Sequence, residues 1–417
     1  MRSNIFYWGL YDFANSIVMV TFLFYFSQWL VLTEGRPVWW YNATLIISSV
    51  LFVTTTPFLS RRIDIDGKKL GGMRLWTLIS FVSFSAVAFI TLFFHTLDAL
   101  AMLLDSFAMY AYLVCFVYFT PVLNDLSTAA NRSRISSIGQ GFNYAGLVAG
   151  LLVTLPFANG TLHFVGATGY AQPLLPATLL FGLLALPMLF LYRGPEHDAG
   201  RGTTVGELGT PLSILKTIIA NKNLLFLLIS YFFFSDALLT FSNNYPLYLE
   251  KVFGVSDTTK ALLSVAILAL AAVGAFVFSS ISDRHGDRKT LLAILAAYAL
   301  LFPALAFAPS FAIAVGISLL MGTILAAVFG ISRAMVGHLA PSEIVASSFN
   351  YYTLAERFAT FIGPATWSIV LLSYEQGVFG YRMGILSMGV LVTVGLLVLI
   401  KVKEPQAGSA LGGPTPK

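Results

Sequence analysis

Ser60-Arg61-Arg62-Ile63-Asp64-Ile65-Asp66-Gly67-Lys68-Lys69 returns later in the chain as Ser279-Ser280-Ile281-Ser282-Asp283-Arg284-His285-Gly286-Asp287-Arg288. In both copies a serine is followed by aspartate at the fourth place, glycine at the seventh and a basic residue at the ninth. Each copy closes one apolar stretch and precedes another. Working outward, an aspartate follows a tyrosine by five residues in two further places: Tyr7 and Asp12, Tyr231 and Asp236. These matched positions divide the chain into two halves of like construction. Halves repeated about an axis normal to the membrane are a transporter architecture.

Composition agrees. The 417 residues are 57% hydrophobic and only 10% charged, where a soluble domain carries roughly 25% charged residues. Apolar stretches long enough to cross a hydrocarbon core of roughly 30 Å recur throughout. They lie near residues 4–31, 39–60, 75–95, 98–120, 136–157 and 173–192, then near 223–248, 259–282, 289–307, 311–338, 346–372 and 378–402. The expected fold is an all-α membrane protein, with twelve transmembrane helices in two pseudo-symmetric six-helix bundles. The expected domains are 1–192, a cytoplasmic linker 193–222 with a short surface helix around Thr210 to Ala220, a second bundle 223–403, and a disordered tail 404–417. The first apolar run is too long for a signal peptide and reads as a retained helix.

The net charge of +5 does not point to nucleic acid. Lysine and arginine gather in alternate loops: Arg61 to Arg74, Arg132 and Arg134, Arg193 to Lys222, Arg284 to Lys289, and Lys401 with Lys403. The opposite loops hold Arg36, Lys251, Lys260 and Arg382. By the positive-inside rule both termini are cytoplasmic, as in a bacterial inner membrane. Trp39, Trp40, Tyr41 and Tyr374 suit interfacial anchors. Cys115 is the one cysteine, so no intrachain disulfide can form.

Asp283-Arg284-His285-Gly286-Asp287-Arg288-Lys289 resembles the signature loop of the major facilitator superfamily. Where that pattern opens with glycine this chain has Ser60 and Ser279, and Ile65 stands where Arg284 keeps the basic residue. Asp64 and Asp283 end apolar helices, where an acid can pair with an arginine or a helix N-terminus. Gly67 and Gly286 permit the tight turn. The expectation is a conformational latch built from Asp64, Gly67, Asp283, Arg284, Gly286 and Arg288 that holds an outward-facing state. The alternative is a solvated loop that only sets topology.

A narrower likeness rests on Tyr11-Asp12-Phe13-Ala14-Asn15-Ser16, which is similar to the first-helix signature of the vacuole-effluxer-like branch, named for autophagy-related amino-acid effluxers. Arg134-Ile135-Ser136 leading into Gly139, Gly141, Gly146 and Gly150, then Ser332-Arg333 and Gly363-Pro364, extend the likeness. The resemblance implies export of amino acids.

An ionisable group at membrane depth costs at least roughly 2.5–3.5 kcal/mol, so it faces a cavity or a partner. Asp12 is such a group, with Asn15 and Ser16 on its helix face at the third and fourth positions beyond. Asp236 opens a second stripe with Thr240, Asn243 and Asn244. Asn350, Thr353 and Arg357 line a third, with Glu356 turned aside. These residues are the candidate substrate or proton contacts, with Arg357 for a carboxylate and Asp12 or Asp236 for an ammonium. Arg333 and Glu356 are further expected buried charges. The alternative is structural: Asp236–Arg357 or Glu356–Arg333 pairs, and a packing partner for Asp12. Gly141, Gly146 and Gly150 read as close helix contacts.

No metal cluster, nucleophile–base pair or Gly-x-x-x-x-Gly-Lys-[Ser/Thr] loop occurs in the sequence, so no enzyme, cofactor or direct ATP drive is expected. What remains is a monomeric secondary transporter of a small solute, coupled to protons and rocking around a midplane site. A carrier of drugs, lipids or sugars is the nearest rival. A non-transporting sensor on the same scaffold is the more distant one.

Overall fold

The computed structural model describes residues 2–66, 69–127, 132–193, 216, 218–340, 352 and 361–403. Its elements are helical throughout, because a backbone inside hydrocarbon must satisfy its own hydrogen bonds. Helix α1 (Arg2–Thr21) runs on through π-helical segments at Phe22–Phe26 and Trp29–Thr33. There follow α2 (Val38–Asp66), α3 (Lys69–Phe93), α4 (Asp98–Phe119), the short α5 (Val122–Leu126), α6 (Arg132–Ala158) and α7 (Leu174–Leu186), which continues to Leu191. The rest are α8 (Lys222–Phe253), α9 (Asp257–His285), α10 (Asp287–Ala306), α11 (Phe311–Leu339), α12 (Ile362–Ser373) and α13 (Val378–Leu399).

Among the described residues eleven helical spans are long and apolar enough to cross a membrane. They match the expected spans to within a few residues, from Ser3–Thr33 to Val378–Leu399. The twelfth, expected near 346–372, is described only as the apolar helix Ile362–Ser373. The linker falls almost wholly outside the described residues, as does the tail.

Glycine ends helices where the chain must turn with positive φ. Gly35 stands at +66° after the first span and Gly286 at +90° between α9 and α10. Gly286 thus makes the turn between α9 and α10 with a backbone that favours glycine, and Gly67 of the first copy lies outside the described residues. Pro156 and Pro303 lie inside continuous α6 and α10, as tolerated prolines.

The chain forms two compact units that do not follow the sequence halves. The first contains Met1–Thr203 with Asn243–Leu268 and Ser368–Tyr381, the second Thr204–Ser242 with Ala269–Trp367 and Arg382–Lys417. In the first, α1 packs on α6 and α7, and α4 on α2 and α3. Its core is aromatic: Trp8 stacks on Phe119 at 5.2 Å, and Phe22 meets Phe84 at 4.4 Å. In the second, α10 packs on α11, and Tyr231 stacks on Tyr352 at 4.0 Å.

Candidate functional site

In the first unit the acid of α1 is set by how closely α6 approaches. A Cβ on Gly146 would stand 2.5 Å from the Phe13 carbonyl oxygen and 2.7 Å from the Ser16 Cβ. One on Gly150 would stand 3.0 Å from the Ile17 Cα. Only glycine permits this crossing, as the sequence reading expected for both. Gly141 meets nothing within 4 Å and is not a contact glycine.

The crossing brings a residue to Asp12 that sequence reasoning passed over. Asn143 of α6 donates its amide to the Ser16 hydroxyl at 2.9 Å and to the Asp12 carboxylate at 3.4 Å. Ser16 donates in turn to the Asp12 backbone carbonyl at 2.8 Å, and Asn15 to that of Tyr11 at 2.7 Å. Asp12, Asn15 and Ser16 are all buried, and the Asn15 side-chain oxygen has no hydrogen-bond partner among the described residues. Among the described residues no lysine, arginine or histidine pairs with Asp12. A carboxylate so placed retains capacity for a proton or a cation. The glycine-spaced run from Gly139 to Gly150 marks a close helix crossing, but it does not say that Asn143 within it faces Asp12.

In the second unit Asp236 is 1% exposed and has a backbone partner. The Gly363 N–H donates to its Oδ2 at 2.5 Å, and Thr240 donates to its Oδ1 at 3.4 Å. Asp236 and Thr240 thus do share a face, and Gly363 of the Gly363-Pro364 pair lies against it. Asn243 and Asn244 belong to the first unit. There Asn244, fully buried, donates to Asn42 at 3.1 Å, and Asn42 donates to Ser368 at 2.9 Å. Asn243 itself is half-buried.

Asn350, Thr353, Glu356 and Arg357 lie outside the described residues, as does Gly67, and nothing is described of the Asp64 side chain. Arg333 corrects an expectation. It is exposed, because α11 buries Val328, Ile331, Ser332, Met335 and Val336, and Arg333 falls off that stripe.

The loop residues divide as well. Asp283 and Arg284 are exposed, and Asp283 makes no ion pair among the described residues. Asp287 takes the contacts instead, from the Ser282 hydroxyl at 2.5 Å and the His338 ring at 2.9 Å. Arg288 donates to the Ile400 carbonyl at 2.9 Å. In the first unit Lys69 pairs with Asp125 at 2.9 Å.

One buried cation was hidden by its sequence position. Lys260, assigned to an outer loop by charge counting, is 0% exposed. Its ammonium donates to Gln28, to Glu250 at 2.8 Å and to Tyr170 at 3.3 Å, and lies 2.7 Å from Asp257. A lysine buried without such partners would be strongly destabilising. The cluster joins the π-helical end of α1 to the start of α9 within one unit.

Comparison with known proteins supplies the context. The family model described as the Major Facilitator Superfamily matches residues 119–364 and 227–416. The chain is 21% identical over 428 residues to the uncharacterized MFS-type transporter YxiO of Bacillus subtilis, covering 95% of this chain and 94% of that one. It is 24% identical over 195 residues to autophagy-related protein 22-2 of Aspergillus niger, covering 43% of this chain and 32% of that protein. A crystal structure of a variant of the nucleoside transporter NupG superimposes with a TM-score of 0.77 at 13% identity, covering 96% of this chain and 100% of that one. At such identity the likeness shows the fold alone.

Proposed function

Because the chain belongs to the Major Facilitator Superfamily, we propose that this multi-pass membrane protein is a proton-coupled secondary transporter whose α1 acid, Asp12, binds the coupled proton or the ammonium of an amino-acid substrate. The observation that carries this reading is the Asp12 carboxylate: buried, within reach of one amide, and without an ion pair among the described residues. Intramembrane carboxylates of this kind mark substrate and proton pathways. Asp236 is the second candidate, with Thr240 beside it. Arg357 remains the proposed partner for a substrate carboxylate, and Asn350 the polar residue that accompanies it. Export of amino acids is supported by the partial match to autophagy-related protein 22-2 and by the Tyr11 to Ser16 block. Asp64 and Asp283 are proposed to latch a different conformation from this one, since Asp283 stands exposed here.

The test is reconstitution into vesicles with a panel of labelled amino acids, with and without an imposed proton gradient. Gradient-stimulated flux of at least one amino acid is expected, and Asp12→Asn should abolish it. Unaltered proton-coupled flux in both Asp12→Asn and Asp236→Asn would remove the acids from the mechanism. Flux of no amino acid, with flux of a sugar or nucleoside, would move the substrate class and leave the acids in place. The distribution of lysine and arginine supports cytoplasmic termini. A cysteine introduced by Gly202→Cys should then react with a membrane-impermeant reagent only in inverted vesicles, and labelling in intact cells would reverse the orientation.

A further inference from the structure

Residues 159–173, which connect α6 to α7, lie at the helix ends opposite the basic loops. No aspartate, glutamate, lysine or arginine occurs between Arg134 and Arg193, and His163 is the one histidine in that stretch. Other turns at the same ends carry charge: Glu34 and Arg36 precede α2, Asp98 opens α4 and Asp257 opens α9. What this connection presents instead is apolar. Leu162 is 49% exposed and Phe164 51%, and Val165 beside them is exposed as well.

The loop is nonetheless held in one shape. Gln172, which is buried, accepts from the Phe164 N–H at 2.9 Å and donates to the Val165 and Ala167 carbonyls at 2.7 and 2.5 Å. The Asn159 side chain accepts from the Thr161 N–H at 3.0 Å and from its hydroxyl at 2.7 Å. The Leu162 N–H donates to the Pro156 carbonyl at 2.7 Å. Backbone donors of the apolar segment are thus spent inside the protein. Water would not require this of a loop, whereas a hydrocarbon boundary does.

The depth of the loop is set by α3. The Ala167 N–H donates to the Leu92 carbonyl at 2.8 Å. Gly166, at φ +73°, comes so close that a Cβ on it would stand 2.6 Å from the same oxygen. Leu92 belongs to the last turn of α3, where the exposed stripe of Leu75, Leu78, Val82, Phe89 and Phe93 ends. At three-, four- and seven-residue intervals that stripe is one helix face, the one α3 turns to hydrocarbon. It closes in a cluster of rings, with Phe93 at 4.9 Å and Phe94 at 5.8 Å from Phe89. The loop is therefore fastened where a lipid-facing stripe stops, at the boundary between acyl chains and headgroups.

Water at that boundary would hydrate three apolar side chains at a cost proportional to their area. A charged partner surface or an anionic headgroup would find no formal charge to pair with. The region where acyl chains meet the headgroups asks only for apolar side chains and a satisfied backbone. We propose that the α6–α7 loop is a membrane-binding element that inserts Leu162, Phe164 and Val165 among the acyl chains of the adjoining leaflet. Its far end carries Tyr170, whose hydroxyl accepts from Lys260 at 3.3 Å and whose ring centre lies 5.2 Å from that ammonium. The loop that grips the bilayer thus also covers the buried cation.

Spin labelling of the purified full chain in lipid nanodiscs tests this without any substrate. Cys115, the native cysteine, is buried and takes no label. A nitroxide is attached at Phe164→Cys, with Lys251→Cys, an exposed residue of α8, as the water reference and Leu78→Cys as the lipid reference. Collision with oxygen, which concentrates in hydrocarbon, is compared with collision with a water-soluble nickel complex. The oxygen-to-nickel ratio at Phe164→Cys should exceed that at Lys251→Cys several-fold and approach that at Leu78→Cys. It should do so equally in zwitterionic and anionic nanodiscs. Should Phe164→Cys not fold, Val165→Cys carries the same expectation. A ratio equal to that at Lys251→Cys would place the loop in water and overturn the proposal. Weak collision with both reagents would overturn it too, because protein, such as a second copy of this chain, would then cover the loop. A high ratio in anionic nanodiscs alone would replace apolar insertion with attraction to charge, and the proposal would fail.

Discussion

Asp12 and Asp236 occupy matched places in the two sequence repeats, yet their surroundings differ in kind. Asp12 meets another helix through a side chain, the Asn143 amide, at 3.4 Å. Asp236 meets another helix through its backbone, the Gly363 N–H, at 2.5 Å. A backbone donor cannot rotate away, whereas an asparagine can turn its amide to another acceptor. Asn143 already has one, the Ser16 hydroxyl at 2.9 Å. The pair therefore teaches that an intramembrane acid in a repeated position can be used in two ways. One is bound into the helix framework. The other is left with unspent capacity, and a ligand or proton can use it.

The largest expected effect breaks this comparison at its glycines. A Cβ on Gly146 runs into the backbone of α1, at the Phe13 carbonyl, while one on Gly363 runs into the flexible ends of Thr240 and Asp236. Backbone cannot give without separating the helices. Gly146→Ala should thus cost about 3 kcal/mol, at the upper end of ordinary overpacking. Gly363→Ala should cost about 1–2 kcal/mol, mostly by displacing the carboxylate from its donor. Thermal unfolding of both variants in the same detergent checks the order. Equal losses would mean that the α1–α6 crossing relaxes as readily as a side chain.

A middle-sized effect separates the two acids themselves. Asp236→Ala removes the acceptor of a buried N–H and should cost roughly 2 kcal/mol. Asp236→Asn retains an acceptor oxygen for Gly363 and should cost under about 1 kcal/mol. A large loss in both would show that charge, not the acceptor, holds α8 to α12.

The fold was legible in the sequence because membrane helices announce themselves by length and hydrophobicity, and Gly286 by its place in a repeat. Asp236 with Thr240 was legible from helical spacing. Asn143 was not, because spacing along one helix says nothing about what a second helix brings to it. The burial of Lys260 was hidden for a related reason. Charge counting assigns a lysine to a side of the membrane, and only the carboxylates of Glu250 and Asp257 with Gln28 make its burial tolerable. Arg333 failed in the opposite direction: one step of 100° on an ideal helix separates it from buried Ser332. The loop acid shows the same limit, since the repeat singles out Asp283 and only packing brings Ser282 and His338 to Asp287.

The smallest expected effect is also the sharpest for function. Asp12→Asn removes a charge but keeps an oxygen where Asn143 can donate, and the bond it replaces is long. Its cost to stability should be under about 1 kcal/mol. Had the acid been half of a buried ion pair, neutralising it would strand a cation at a cost of roughly 3–5 kcal/mol. Melting temperature and gradient-driven flux, measured on one preparation of Asp12→Asn, therefore answer different questions. An unchanged melting temperature with lost flux places the unspent capacity of Asp12 in transport. A melting temperature lowered as far as that of Gly146→Ala would reveal a cationic partner and make the α1 acid structural. The contrast with Asp236 would then collapse, because both acids would be part of the framework.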